Sequence, residues 1–451
     1  MTTPNKGLSR RTLVKTGLAG ILATGVAPLV FTRGAYAQDF CNNPAGDTVT
    51  LGFNMPLTGA YADEGADQQR ALTLAVEHLN GEGDGGLIPT FSSKTLKGNG
   101  ILGKKVAYVT GDDQTKADAG RDSARRMIER DGAIMICGAS SSAVAIAEQA
   151  LCQEMGVIYM AGLTHSNDTT GKDKKRYGFR HFFNAYQSGV ALRPVLGGAY
   201  GKDRVAYHLT ADYTWGWTQE ESMIKATEAL GWKTLPPVRT PVGAGDFSQY
   251  LTPVLNSGAD VLILNHYGFD GVNSLTQAVQ FGMKDKQVNN KQFQIVLPLV
   301  SDLMAKGAGE SIKGVYGTSN WDWQLTDAAS QAFTKSFGAK FGQPPSQIAH
   351  TSYVQALLYA DAVERAGTFY PPEVIKALED YEFDGLGNGP TLYRAADHQC
   401  FKDVLVVQGK EAPANPYDLL AVVDTAPRDS VTYDAAMFGG DLGPYEPNMC
   451  A

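Results

Sequence analysis

Two short apolar runs stand out in the hydrophobic pattern of the first half of the chain. They span Ala133–Cys137 and Val157–Ala161, and each is short enough for a single strand. Between them, Ile146, Leu151 and Met155 recur at nearly helical spacing. The pattern predicts a strand, a helix and a second strand, and two strands joined by a helical crossover lie parallel in one sheet.

The same alternation of apolar strands and amphipathic helices continues on both sides of this unit. It predicts an α/β fold, and because a second series begins near residue 204, it predicts two doubly wound parallel-sheet lobes. The other expected strands are Val49–Asn54, Lys105–Thr110, Arg204–His208, Val261–Leu264, Gln294–Pro298, Thr391–Arg394 and Val404–Val407. The expected helices include Ala117–Arg130, Glu220–Leu230, Phe247–Asn256, Gly271–Phe281 and Tyr353–Ala366. The last of these is apolar on most sides, which favours packing into an existing core.

Small and hydroxylated residues follow both strands of the first unit. Gly138–Ser142 follows the first strand and Gly162–Thr164 follows the second. Ligands bind at the carboxyl edge of an open parallel sheet, and a helix N-terminus favours a carboxylate. One interpretation is therefore a site for a small anion. The other is that Ser140–Ser142 only cap the following helix.

The two ends of the chain differ from the rest. Ser9–Lys15 contains a twin-arginine pattern, Gly17–Phe31 is moderately apolar, and Ala35-Tyr36-Ala37 is a small-x-small cleavage site. We interpret residues 1–37 as a Tat export signal cleaved after Ala37, because the apolar run is too short to span a bilayer. The proline-rich tail, residues 411–451, shows no periodicity and is expected to be irregular.

Charge and cysteine content argue against several classes of partner. Removing the signal takes away five positive residues and no acidic one, so the formal charge falls from −8 to −13. Such acidity argues against binding to nucleic acid or anionic membranes. The cysteines lack C-x-x-C spacing, which argues against zinc. Export permits a disulfide, and Cys400 with Cys450 is the preferred pair, although the pairing stays open. The five cysteines are Cys41, Cys137, Cys152, Cys400 and Cys450.

Motifs of enzymes are missing or lack their context. Gly81–Gly86 fits the G-x-G-x-x-G string of dinucleotide sites, but a predicted helix precedes it and an irregular segment follows, so we expect a surface loop. The sequence contains neither G-x-S-x-G nor H-E-x-x-H. His165 is the only histidine near the expected site, and a lone histidine is more often a polar wall than a base. We therefore expect no catalytic residue, and a hydrolase is the disfavoured alternative.

Seven strings along the chain share their order and spacing with a known family. They are Met55–Tyr61, Gly138–Ser142, Gly162–Thr164, Asp212–Gly216, Asp246–Ser248, Gly389-Pro390 and Asp397–Gln399. Together they resemble the type I periplasmic solute-binding proteins of ABC importers, specifically the branched-chain amino-acid-binding family. The resemblance covers most of residues 48–410. It implies two lobes joined by three crossing segments, near residues 184–188, 320–324 and 389–394.

The resemblance implies how the chain divides between the lobes. The first lobe would hold residues 48–185 plus 324–390, and the second residues 186–320 plus 391–410, followed by the extension 411–451. The carboxylate of a ligand would meet Ser140–Ser142, the Gly162 carbonyl and Thr164, and aromatic side chains of the second lobe would close over it. The ligand-binding residues implied are Glu64, Ser140, Ser141, Ser142, Gly162, Thr164, Tyr213, Trp215, Tyr267 and Leu299.

One position departs from the family pattern. Where the amino-acid binders carry an acid for the ligand ammonium, this chain has Leu299. Either Glu64, Asp270 or Asp302 replaces that acid, or the ligand has no ammonium group. The expected ligand is accordingly an amino acid or related small carboxylate, and the alternative is an aromatic acid or short amide.

The function that the resemblance implies is that of the substrate-binding component of an ABC importer, which traps its ligand by hinge closure. The expected partners are the small-molecule ligand and a permease in the inner membrane. We expect a monomer in the periplasm, with no cofactor and no metal. A sensory receptor of the same fold would need a membrane segment and an output domain, and the sequence shows neither.

Overall fold

A computed structural model describes residues 40–446, so the expected export signal and its cleavage site lie outside the described residues. The strands of residues 40–446 are β1 (Thr48–Met55), β2 (Lys105–Asp112), β3 (Ala133–Gly138), β4 (Ile158–Ala161), β5 (Gly178–Arg180), β6 (Val205–Ala211), β7 (Lys233–Thr234), β8 (Val238–Thr240), β9 (Val261–Asn265), β10 (Gln287–Val288), β11 (Lys291–Gln292), β12 (Gln294–Leu299), β13 (Tyr316–Ser319), β14 (Tyr381–Phe383), β15 (Thr391–Tyr393), β16 (Cys400–Phe401), β17 (Val404–Gly409) and β18 (Leu420–Ala426). The α-helices are α1 (Ala62–Leu79), α2 (Ala117–Glu129), α3 (Ser142–Met155), α4 (Ala185–Tyr200), α5 (Thr214–Glu228), α6 (Ser248–Asn256), α7 (Gly268–Gln280), α8 (Asp302–Ala308), α9 (Ala328–Phe341), α10 (Gln347–Ala366), α11 (Pro371–Leu378) and α12 (Arg428–Val431).

The first sheet has five parallel strands in the order β2-β1-β3-β4-β5. The unit of β3, α3 and β4 predicted from the apolar runs is confirmed, with Gly138 paired to Ala161 at the carboxyl ends of the two strands. Helix α3 ends at Gly156, whose φ of +69° is the left-handed conformation that stops a helix and turns the chain into β4. The sheet therefore aligns the two polar strand ends noted in the sequence.

The second sheet runs in the order β18-β17-β13-β12-β9-β6-β7, with β8 also paired to β6. Its pairs are parallel from β7 to β13, whereas β17 and β18 are antiparallel to their neighbours. The expectation of an irregular tail is wrong for Leu420–Ala426, which forms β18 along the open edge of β17. The prolines that flank this segment favour irregular chain in a sequence-based prediction. Its strand conformation depends instead on pairing with β17, which the local sequence does not reveal.

Each sheet supports its own hydrophobic core. The first core joins apolar side chains of β1, β3 and β4 to those of α1 and α10, and Leu357 and Leu358 of α10 are fully buried. The prediction that the helix around Tyr353–Ala366 packs into an existing core is confirmed. The second core joins β6, β9, β12 and β17 to the helices around them. The molecule thus has two α/β lobes.

The chain passes between the two cores three times. The first passage leads from Phe179 in the first core to Phe182 in the second. The second passage returns from Val315 in the second core to Trp321 in the first. The third leads from Tyr393 in the first core to Val404 in the second. At the first passage, residues 185–188 are helical, because the Asn184 and Gln187 side chains form a reciprocal capping box at the start of α4.

The preferred disulfide is also wrong. Cys400 carries a free thiol, as do Cys137 and Cys152, whereas Cys41 is disulfide-bonded. Cys400 is buried beside the imidazole of His181, with 3.6 Å between Sγ and Nδ1. Cys450 lies outside the described residues. Sequence position near the C-terminus was a poor guide, because a disulfide requires Cα atoms about 4.4–6.8 Å apart.

Candidate ligand-binding site

The three serines after β3 have different surroundings. Ser142 accepts hydrogen bonds through Oγ from the backbone N–H groups of His165 (3.2 Å) and Ser166 (3.1 Å), and so ties the loop after β4 to the start of α3. Ser141 occupies the N-cap position, but its side chain makes no capping bond within the described chain. Ser140 is buried. Simple capping therefore does not account for this run of hydroxyl groups.

The loop after β4 lies directly against the loop after β3. A Cβ on Gly162 would clash with the Gln68 side chain and with the carbonyl oxygens of Gly138 and Ala139, so only glycine fits there. Ala139 adopts a φ of +62°, which is uncommon for a residue with a side chain and indicates a constrained turn. Thr164 is fully buried, and its backbone N–H donates to the Gly162 carbonyl at 3.1 Å.

Three aromatic residues of the second lobe face the first lobe. Tyr213 places its hydroxyl 2.8 Å from that of Tyr61, which belongs to the first lobe. Tyr267 packs edge-on against Tyr61, with ring centroids 5.9 Å apart, and its own ring lies 6.3 Å from that of Trp215. The structure therefore brings Tyr213, Trp215 and Tyr267 together as one wall, with Tyr61 added from the opposite side.

His165 is part of this wall rather than a free base. The Trp215 indole N–H donates to His165 Nδ1 at 2.8 Å, so the proton of the neutral ring sits on Nε2 and can be donated to Ser188 Oγ at 3.1 Å. Burial, reinforced by the nearby Arg180 guanidinium, holds the pKa of His165 well below its usual range. Both ring nitrogens are committed and the ring stays neutral.

Glu64 enters the space between the lobes from the first turn of α1. Its side chain is 1% exposed, and Oε1 accepts a hydrogen bond from Ser301 of the second lobe at 3.0 Å. Burial raises the pKa of Glu64 to about 8, and the neighbouring Asp67 carboxyl adds to the rise. The carboxyl group is therefore held mainly in its neutral form near pH 7.

The other two candidate acids have different environments. Asp302 opens α8 after the N-cap Ser301, and burial together with Asp322 raises its pKa well above the usual range. Asp270 accepts from the Gly243 backbone N–H at 2.8 Å, and burial raises its pKa to about 6. Leu299 is buried at the end of β12 beside Thr318 of β13 and supplies only apolar surface.

Several buried polar atoms between the lobes make no hydrogen bond with any residue from 40 to 446. They share a position near the carboxyl ends of β3 and β4 or at the facing ends of α1 and α7, and we call them the unpartnered cleft atoms. They are Glu64 Oε2, Gln68 Oε1, Ser140 Oγ, Thr164 Oγ1, Tyr267 OH and Gln355 Oε1. Burying such groups without partners costs about 1–3 kcal/mol each, so a binding partner for them is expected.

The two lobes touch directly at the mouth of this space. The Phe269 N–H donates to the Ala60 carbonyl at 3.2 Å, and Gly268 packs so closely that a Cβ there would lie 2.5 Å from the Tyr61 ring. A cavity of about 110 Å³ opens beside these residues and is lined by Glu64 and Met304 among others. The lobes are therefore in a closed arrangement.

Sequence reasoning missed Gln68, Gln355 and Ser301. Gln68 stands four residues after Glu64, and residues at that spacing share one helix face. The sequence could therefore have indicated Gln68 as a neighbour of Glu64. Gln355 lies on α10, far along the chain, and reaches the Ala161 carbonyl through Nε2. Only the packing of α10 against the first sheet reveals it.

A larger cavity of about 380 Å³ lies away from the lobe interface, around the loop of residues 81–86. This loop follows α1 and leads into irregular chain, so its surroundings differ from the strand, turn and helix of a dinucleotide site. Within residues 40–446 no group of three or more His, Cys, Asp or Glu side chains could hold a metal ion. The same part of the chain contains no helix long and apolar enough to cross a membrane.

Comparison with known proteins identifies relatives over most of the chain. The Leu/Ile/Val-binding protein homolog 1 of Brucella abortus (strain 2308) is 24% identical over 349 residues, which cover 74% of this chain and 82% of that protein. A periplasmic binding protein from Burkholderia mallei superposes with a TM-score of 0.75 at 25% identity, covering 86% of this chain and 96% of its own.

A solute-binding protein of an ABC transporter from Rhodopseudomonas palustris BisB5, in complex with 3,4-dihydroxybenzoic acid, has the same fold. Its TM-score is 0.72 at 18% identity, over 85% of this chain and 98% of its own. The family described as periplasmic binding protein matches residues 48–414. Since this match spans well over half of the chain and agrees with the two-lobed fold, the protein belongs to the periplasmic binding protein family.

Proposed function

We propose that this protein is the substrate-binding component of an ABC importer and traps an amino acid or related small carboxylate between its lobes. The observation that carries the proposal is the set of unpartnered cleft atoms, which come from both lobes and are buried where the lobes meet. A ligand that bonds to them lowers the free energy of the closed form, and so shifts the protein toward it.

The ligand carboxylate is assigned to the strand ends of the first lobe. Ser140 and Thr164 offer hydroxyl groups there, and the N-terminus of α3 offers backbone N–H groups with a positive dipole end. Tyr213, Trp215 and Tyr267 cover the apolar part of the ligand from the other side. In this assignment Ser141, whose side chain makes no capping bond, contacts the same carboxylate. Ser142 and Gly162 shape the loop, since Ser142 already bonds to backbone N–H groups and Gly162 leaves no room for a Cβ.

A second candidate is an aromatic acid or short amide without an ammonium group. Leu299 favours it, because this buried apolar side chain stands where the family resemblance calls for an acid. The aromatic wall suits a flat ring equally well. The fold is also that of the dihydroxybenzoic acid complex, although its 18% identity supports the fold alone.

The export route and partners belong to the same proposal. Residues 1–37 would act as a Tat signal cleaved after Ala37, and the mature monomer would deliver its ligand to a permease in the inner membrane. The lobe boundaries proposed are residues 48–185 plus 324–390 and 186–320 plus 391–410. Because Tyr393 and Cys400 pack in the first core, we move the last crossing to between Cys400 and Val404. Mass spectrometry of the secreted protein tests the cleavage, because its N-terminus should be Gln38.

A thermal-shift screen tests the proposed ligand class. Leucine, benzoate and acetamide represent an amino acid, an aromatic acid and a short amide, and a tight ligand raises the melting temperature by mass action. Mass spectrometry of the recovered ligand should find it unchanged. Stabilisation by nucleotides or metal ions alone would contradict the proposal, and a chemically altered ligand would indicate an enzyme.

A further inference from the structure

The orientation of two buried amides determines what chemistry the first lobe offers to a ligand. Gln68 donates through Nε2 to the Ala139 carbonyl at 3.3 Å, and Gln355 donates through Nε2 to the Ala161 carbonyl. Because a carbonyl can only accept, these partners determine which end of each amide is the oxygen. The remaining Oε1 atoms of both residues are acceptors, and both belong to the unpartnered cleft atoms.

These acceptors lie at one place in the fold. Ala139 follows β3 and Ala161 ends β4, and the two strands are neighbours with paired carboxyl ends. Glu64 stands one turn before Gln68 on the same face of α1 and lines the cavity between the lobes. Two amide acceptors therefore lie at the carboxyl edge of the first sheet, and the Glu64 carboxyl lies one helical turn before the first of them.

The charges around Glu64 favour a cation. The titratable groups that face it are Tyr61, Asp63, Asp67, Tyr267 and Asp302, all of them acidic or phenolic. Arg70 is bonded to Asp67 at 3.1 Å, and the buried Arg180 donates to the Thr164 and Ser166 carbonyls and to Gln399. Both guanidinium groups are thus engaged elsewhere.

Resting on the function proposed above, we propose that Glu64, Gln68 and Gln355 form an acceptor set for the ammonium group of the ligand. An ammonium group has three N–H donors, one for each acceptor oxygen. Glu64 would then replace, from the first lobe, the acid that this chain lacks at Leu299. Burial raises the pKa of Glu64, and an ammonium group in contact would reverse that effect by favouring the carboxylate.

Matched pairs of ligands test the acceptor set. L-leucine is compared with 4-methylpentanoate, and L-phenylalanine with 3-phenylpropanoate, by calorimetry at pH 7.5. Each pair differs by the ammonium group alone. The wild-type protein should bind at least one amino acid 10-fold or more tighter than its deaminated partner, because the deaminated acid leaves three buried acceptors without donors.

The variants assign the effect to named residues. Glu64→Gln keeps the shape and the acceptor for Ser301 but removes the charge. It should narrow the preference for the amino acid over its deaminated partner by about 10-fold. Gln68→Met removes one acceptor and should narrow the same preference to a smaller extent. Glu148→Gln is the matched control, since Glu148 is also a buried acid of the first lobe but accepts its hydrogen bond from Asn54.

Each outcome leads to a different conclusion. Tighter binding of the deaminated acids overturns the acceptor set and leaves the binding function standing. The acceptor set is also overturned if both Glu64→Gln and Gln68→Met keep the wild-type preference for the amino acid. It is overturned as well if Glu148→Gln loses as much of that preference as Glu64→Gln does. If neither member of any pair binds and no ligand in the thermal-shift screen stabilises the protein, the proposed function itself is wrong.

Discussion

At the scale of single residues, the hydroxyl groups around β3 and β4 look alike in the sequence but have different roles. Ser142 holds two loops together through its contacts with the His165 and Ser166 N–H groups. Ser140 and Thr164 are buried, with hydroxyl groups among the unpartnered cleft atoms. We therefore assign a structural role to Ser142 and propose ligand contact for Ser140 and Thr164.

We predict that Thr164→Ala weakens ligand binding by about 1.5–3 kcal/mol, the usual value of a hydrogen bond to a charged group. Calorimetry with the tightest ligand from the screen measures the effect. Thr169→Ala is a matched control, because Thr169 is also buried with a hydroxyl that bonds to no other residue in the described chain. Equal affinity of Thr164→Ala and the wild type would remove Thr164 from the site.

Glu64 should make stability depend on pH. Its pKa is about 8 in the folded protein and near 4.5 in an unfolded chain, so the folded state retains a proton that the unfolded state releases. The free energy of unfolding therefore falls as pH rises from about 4.5 to 8, and the loss is complete above pH 8.

Glu64→Gln should remove this dependence. The free energy of unfolding is measured with denaturant, without ligand, at pH 5 and pH 8.5. Between these two pH values the variant should gain on the order of 1–4 kcal/mol relative to the wild type, and it should be the more stable protein at pH 8.5. Asp122→Asn, at an exposed position of α2, serves as the control. The same difference at both pH values would show that Glu64 ionises freely in the folded protein.

At the scale of elements, the start of α7 is what docks on the first lobe. Gly268 adopts a φ of +57°, and a Cβ there would lie 2.5 Å from the Tyr61 ring and 2.7 Å from the Ala60 carbonyl oxygen. The helix begins at this glycine, three residues before the position that apolar spacing predicted. Close approach of two backbones, rather than helix propensity, explains a glycine at this position.

Gly268→Ala should block full closure and reduce ligand affinity at least 10-fold, because the added methyl group has no space against Tyr61. Gly282→Ala separates this effect from backbone strain, since Gly282 has a φ of +71° but nothing within 4 Å of a Cβ. Both variants should lose about 1 kcal/mol of stability. Similar affinities in the two variants would show that the contact is not needed for closure.

At the scale of the whole molecule, contacts between the lobes join residues from distant parts of the chain. Tyr61 meets Tyr213, Glu64 meets Ser301, and His165 meets Trp215. Many of the groups in these contacts are polar, so water can replace the partner when the lobes separate. The closed arrangement is therefore suited to reversible opening.

We predict that the protein without ligand is more open on average and that its radius of gyration falls when ligand binds. Small-angle scattering with and without ligand measures the change, and Gly268→Ala should show a smaller decrease at saturating ligand. An unchanged radius of gyration, with binding verified by calorimetry, would contradict hinge closure in a protein that starts open.

Much of the architecture could be predicted from local patterns. In a parallel sheet with helices on both faces, strands are buried on both sides and appear in the sequence as short apolar runs such as Ala133–Cys137. The order of strands and helices along the chain then limits the possible topologies of the sheet. The candidate site was less accessible. No local sequence pattern marks Ser301 or Gln355. Their roles come from contacts with Glu64 and Ala161, which lie far from them in the sequence.

The sequence by itself determined the parallel strands of the two sheets and the edge at which their polar residues collect. Strand and helix periodicities are local, and parallel strands bring their carboxyl ends together. Only the tertiary structure decided which acid enters the space between the lobes, that β18 pairs with β17, and that Cys400 stays free. Those features depend on distances between residues far apart in the chain, and such distances are set by how the lobes pack as a whole.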